Sequence, residues 1–244
     1  MRFTKDIFVG DNEAPGSGVG GGDPAEINAI KSDISNIFSI IYTPPTVALT
    51  LNPATATREF GETVSATTIS STVTRKTQNI TKVEFFRDNN LLNTVASPNA
   101  NGGTFTFANN APMTTTTTFR VKATDVMGSA EASRTVTFVY PMYAGAVSVA
   151  APNEAQVKAL SKLVRTKGDT PHSFTSAGQR FAFAYPASYG NLRSITDPNG
   201  FETLGSYTAT TINITGLDGT AVSYRVYTLS TTTTQTNFTN TFKF

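Results

Sequence analysis

The side chains able to do chemistry in this sequence are few. There is one histidine, His172, and there is no cysteine in 244 residues. Paired-histidine acid–base catalysis, thiolate nucleophiles, thiolate metal sites and disulfides are therefore excluded. His172 follows Pro171 in a polar stretch, with no Cys or second His to complete a triad or a metal set. No G-x-S-x-G elbow is present, and no pair of carboxylates marks a hydrolytic cleft. Gly16-Ser17-Gly18-Val19-Gly20-Gly21 matches the G-x-G-x-x-G spelling of a dinucleotide loop. That loop needs a strand before it and a second parallel strand after its helix. Here Thr43-Pro44-Pro45 stands where that strand would begin, so the run reads as a glycine tether and no cofactor is expected. Asp197-Pro198-Asn199-Gly200 opens like a calcium loop but lacks the later ligands, and a turn accounts for it. Three Asn-x-Thr sequons, at Asn79, Asn213 and Asn237, are what so much Asn and Thr produces by chance. The Thr114–Thr118 and Thr231–Thr234 runs read as exposed strand or loop. The chain is read as a non-enzyme with no metal site.

The bulk composition points the same way. Charged residues are 15%, and 19 basic against 17 acidic residues leave a net charge of +2. That balance excludes a strongly basic nucleic-acid binder. No apolar run reaches the length of a membrane helix, and residues 1–10 lack the apolar core of a secretory signal. Neither nucleic acid nor membrane is an expected partner. Threonine supplies 42 residues. It is β-branched and hydroxylated, which suits strand faces that meet water without charge. Such a composition belongs to extracellular or virion β-structure.

Four segments follow from the patterning. Residues 1–24 pair a short apolar piece, including Phe3, Ile7, Phe8 and Val9, with the glycine run. So little apolar surface cannot offset its ordering entropy, and the segment reads as a tether whose apolar residues anchor on another protein. Residues 25–43 carry Ile27, Ile30, Ile34, Ile37 and Ile41 at spacings of 3, 4, 3 and 4. This is a heptad seam, and Ile at both seam positions favours trimers or higher. An amphipathic helix packed on its own domain is the other reading of the same pattern. Asp23 and Pro24 sit at the helix start, and Pro44-Pro45 stop it. The spacing of turn signals over 46–140 predicts seven strands, at 47–51, 64–73, 80–87, 91–95, 103–107, 117–125 and 130–139. That is the density of an immunoglobulin-like sandwich in the broad sense. A short aromatic linker, Tyr140–Tyr143, leads to a C-terminal β-rich domain, 144–244. It is expected to hold one helix at 152–165 and strands at 180–185, 192–196, 201–209, 211–215, 222–229 and 236–244. The final strand alternates Phe238, Asn240, Phe242 and Phe244 with polar residues.

In this order the chain resembles a fibre or appendage protein of the tailed bacteriophages. Residues 44–90, PPTVALTLNPATATREFGETVSATTISSTVTRKTQNITKVEFFRDNN, resemble the immunoglobulin-like modules of phage fibre and decoration proteins. Residues 181–229, FAFAYPASYGNLRSITDPNGFETLGSYTATTINITGLDGTAVSYRVYTL, with TNFTNTFKF after them, are similar to C-terminal domains of phage fibres, including those of crAss-like gut phages. The resemblance implies a non-enzymatic homotrimer on the virion surface. Its N-terminus would sit in the capsid or another virion protein, and its C-terminal domain would face outward. The absence of a long shaft favours a head fibre. A tail-fibre appendage or a secreted carbohydrate-binding adhesin are the competing readings. By that polarity the candidate receptor contacts, for a host-surface glycan or protein, are Tyr189, Asp197, Asn199, Tyr207 and Asp218.

Overall fold

A computed structural model describes residues 24–54 and 56–244. The chain divides after Thr43 into a helical unit and a compact unit, Pro44–Phe244. The proposed anchor residues Phe3, Ile7, Phe8 and Val9, and the glycine run, lie outside the described residues.

Helix α1 spans Pro24–Ile41. Proline suits its first position, where the missing N–H would have no intrahelical partner, and Glu26 complements the helix dipole in the first turn. The chain leaves the helix just before Pro44 and Pro45, which disfavour helical geometry in the residue ahead of them. Ile27, Ile30, Ile34 and Ile37 are 41%, 58%, 46% and 56% exposed. Together they form an exposed apolar stripe on the described part of the helix. Nothing is described of the Ile41 side chain.

The compact unit is mainly β. Its first part holds β1 (Thr46–Asn52), β2 (Thr57–Glu59), β3 (Thr67–Thr74), β4 (Ile80–Arg87), β5 (Asn90–Val95), β6 (Gly102–Asn109), β7 (Thr117–Asp125) and β8 (Ser129–Val139). They form a three-stranded sheet, β1-β3-β6, and a five-stranded sheet, β2-β8-β7-β4-β5. Period-two patterning sets the faces. In β7, Phe119, Val121 and Ala123 are fully buried, and Arg120 and Lys122 alternate with them on the other face. In β3, Ile69 and Val73 are buried while Thr68, Thr72 and Thr74 face water. One core joins the two sheets through Leu49, Ile69, Phe85, Phe119, Val121 and Phe138. The β4–β5 turn places Asp88 at φ 53, a conformation Asp tolerates. Its carboxylate Oδ1 accepts from the Thr118 N–H at 2.9 Å. All seven expected strands are present. Strand β2 was not expected: it is three residues long and pairs in parallel with β8, some eighty positions away.

The second part holds β9 (Met142–Val147), α2 (Glu154–Lys158), β10 (Ser161–Leu163), β11 (Thr170–Pro186), β12 (Ser194–Thr196), β13 (Tyr207–Thr215), β14 (Ala221–Leu229) and β15 (Thr233–Lys243). The strand order is β10-β9-β11-β14-β13, with β15 pairing β11 and β12. Strand β11 changes partners along its length. Thr170–Gln179 pairs with β15, and the remainder pairs with β9 and β14. The register shifts around Thr175 and again at Gly178, between Ala177 and Gln179, and the Gly178 φ of 69 suits a bulge that bends the strand. The two halves close over an aromatic core. Phe183 stacks on Phe242 at 4.2 Å between ring centroids, and Phe174 on Phe181 at 4.5 Å.

Several expectations are corrected here. The helix expected over 152–165 is only five residues. Asn153 and Gln156 close a capping box at its start. After it the chain joins β9 as β10, so strand pairing overrides the helical spacing of Val157, Leu160 and Val164. Tyr140–Tyr143 is not a linker. Met142 and Tyr143 are buried and open β9. The strand expected from residue 180 begins at Thr170. The two strands expected at 201–209 and 211–215 are one, β13, preceded by a 3-10 turn at Leu204–Ser206.

Candidate functional site

The five candidate receptor residues do not share one surface. Strand β13 runs from Tyr207 to Thr215, so its two ends lie roughly 26 Å apart. The Leu217–Gly219 turn follows the far end, and the Asp197–Gly200 turn is tied to the near one. There the Thr203 N–H donates to the Ile195 carbonyl at 2.7 Å. The Asp197 carboxylate Oδ1 accepts from the Asn199 and Phe201 N–H groups, both at 2.9 Å. This closes an Asx-type turn rather than a calcium loop. Asn199 is exposed, and so is Phe201 at 69%, a residue expected inside a strand. Tyr189 is half-buried, with its ring edge-to-face with Phe244 at 5.8 Å. Burial pushes its hydroxyl up from its ordinary pKa. Tyr207 is a core residue. Its hydroxyl accepts from Asn240 Nδ2 at 2.7 Å, and burial pushes its pKa far up.

Asp218 belongs to a junction within the compact unit. Its Oδ2 accepts from the Tyr140 hydroxyl at 2.8 Å. The Tyr140 ring lies 4.7 Å from that of Phe60, which follows β2. Beside them Lys162 Nζ on β10 donates to Glu59 Oε2 on β2 at 2.6 Å. The Glu59 side chain is 3% exposed and that of Lys162 is 46% exposed. A buried carboxylate with a half-wet cation is a pair that holds register more than it adds stability. Gly61 completes the contact. A Cβ there would stand 2.6 Å from the backbone of Leu217 and Asp218. No sequence signal foretold this junction, because its partners are separated by 78 and 103 positions.

A cavity of about 180 Å³ opens where the start of β13 meets β15. Phe181, Phe238 and Tyr207 supply its aromatic wall, and Thr203, Ser206, Gln235 and Asn240 its polar groups. No charged side chain lines it. Asn240 was legible as a polar residue in the apolar phase of the last strand, between Phe238 and Phe242.

His172 meets the ring of Phe174 edge-on at 4.7 Å. Among the described residues no group of three or more His, Cys, Asp or Glu side chains could hold a metal ion. No helix among them is long and apolar enough to cross a membrane. Burial pushes the His172 pKa down. The folded chain therefore binds fewer protons than the unfolded one just below pH ~6.5, the usual imidazole value. Stability is expected to be fully present above that value and to fall as the pH drops toward the depressed folded pKa. His172→Gln is expected to flatten the melting temperature between pH 7 and pH 5. An unchanged slope in the variant would contradict this.

A comparison with protein-family models finds no match to this chain, and a search of curated proteins finds no significant match.

Proposed function

We propose that this chain is a structural virion protein, a homotrimeric head fibre held to a phage capsid through residues 1–24. The observation that carries the reading is the exposed isoleucine stripe of α1. Four large apolar side chains at heptad spacing face water, and isoleucine at both seam positions favours three strands. A seam of little more than two heptads is marginal alone, so contacts between the β-regions of the three copies complete the assembly. Two sheets ordered β1-β3-β6 and β2-β8-β7-β4-β5 around one core support an immunoglobulin-like sandwich in the first β-part. A threonine-rich, weakly charged β surface suits exposure on a particle. The C-terminal β-region is the outward end in this reading and would aid attachment to host-surface or mucus glycans.

Mass spectrometry of purified particles tests the virion reading. The chain is expected in the particle at a copy number divisible by three. A version lacking residues 2–22 is expected to fold and yet be missing from particles. Incorporation of the truncated chain at the full level would overturn the anchor role of Phe3, Ile7, Phe8 and Val9.

A further inference from the structure

We propose that the cavity between β13 and β15 binds a single neutral pyranose ring. Size sets the first limit. An engineered apolar cavity of about 150 Å³ admits one benzene molecule, so about 180 Å³ takes one six-membered ring and little more. The wall sets the second. The rings of Phe181 and Phe238 lie 5.9 Å apart with 26° between their planes. Phe181 is buried and also stacked on Phe174, so it backs the half-buried Phe238, whose negative π-face suits the polarised C–H face of a sugar. The polar groups set the third. Asn240 is 3% exposed, and its Nδ2 is spent on Tyr207 while its Oδ1 has no partner. A buried acceptor without a donor is costly, and a sugar hydroxyl supplies that donor. The Tyr207 hydroxyl accepts from Asn240, which leaves its own proton free to donate to a ring substituent. Burial keeps that phenol protonated across the physiological range. Gln235 and Ser206 stand exposed at the rim, where they can meet outward hydroxyls.

The missing charge decides between ligand classes. Phosphates, sialic acids and uronic acids need a cation to offset their desolvation, and the cavity offers none. The site does not depend on the fibre reading. A single-chain protein that binds sugar would keep the site and lose the fibre, and a trimer that binds none would do the reverse.

Saturation-transfer difference NMR on the full chain tests it. The probes are glucose, galactose, mannose, fucose, N-acetylglucosamine and N-acetylgalactosamine, with sialic acid and glucuronate as charged controls. At least one neutral sugar is expected to receive saturation, strongest on one ring face, and the charged controls none. Ser206→Leu places an aliphatic group at the mouth from an exposed position and is expected to leave the melting temperature unchanged. Asn240→Leu removes the acceptor at similar volume. Each variant is expected to weaken binding roughly tenfold or more. Silence from every neutral sugar with folded wild-type protein would overturn the site. So would equal saturation of the charged controls, or a signal that survives both variants.

Discussion

Ile34→Asn is expected to turn the assembled protein into folded single chains. Ile34 is the middle position of the seam formed by Ile27, Ile30, Ile34, Ile37 and Ile41. An amide buried there without good partners costs on the order of 1–3 kcal/mol per chain. Three copies would meet at the same level, so the loss is roughly 3–9 kcal/mol per trimer. A seam of little more than two heptads has small reserve against it. The compact unit keeps its cores, because Ile34 is exposed in the single chain and lies in the other unit. The mass in solution is therefore expected to fall to one chain, while the β-rich circular dichroism spectrum and the main melting transition persist. Ile34→Leu keeps the apolar contact and is expected to remain assembled. An unchanged mass for Ile34→Asn would place the assembly contacts elsewhere.

Gly61→Val is expected to break the junction between the two β-parts of the compact unit. Two effects add. Gly61 has φ of 102, a region that β-branched residues avoid at a cost of about 1–3 kcal/mol. The new Cβ would also overlap backbone atoms of Leu217 and Asp218 at 2.6 Å. Those are main-chain atoms, so no rotamer change relieves the clash. The Tyr140–Asp218 hydrogen bond and the Phe60–Tyr140 contact are expected to be lost with it. Hydrogen exchange should rise at residues 59–62 and 216–220 and stay unchanged at Phe85, Phe119 and Phe183, which sit deep in their own cores. Protection equal to wild type at residues 59–62 would show that the junction tolerates the side chain.

What the sequence revealed follows the range of the interactions. Strands β3, β4, β7 and β8 were legible because their alternation is local and each buries one face. The isoleucine stripe of α1 was legible for the same reason, as its spacing alone defines it. The Asp88 and Asp197 turns were legible from the side-chain chemistry that closes them. Strand β2 and strand β10 were not, because each is three residues long and exists only through its pairing. The helix expected at 152–165 failed where β9 offered the chain an edge to join. Among the candidate site residues, Asn199 stands on an exposed turn as expected. Tyr207 is in the core and Asp218 faces the first β-part, positions set by contacts far along the chain. Asn240 carried a readable signal, a polar residue in phase with Phe238 and Phe242.

The central claim is that three copies of this chain assemble along the isoleucine stripe of α1. Sedimentation equilibrium of the intact protein over a wide concentration range tests it most directly. The expected mass is three times the 26.0 kDa of one chain; a mass of one chain at every concentration would contradict the account.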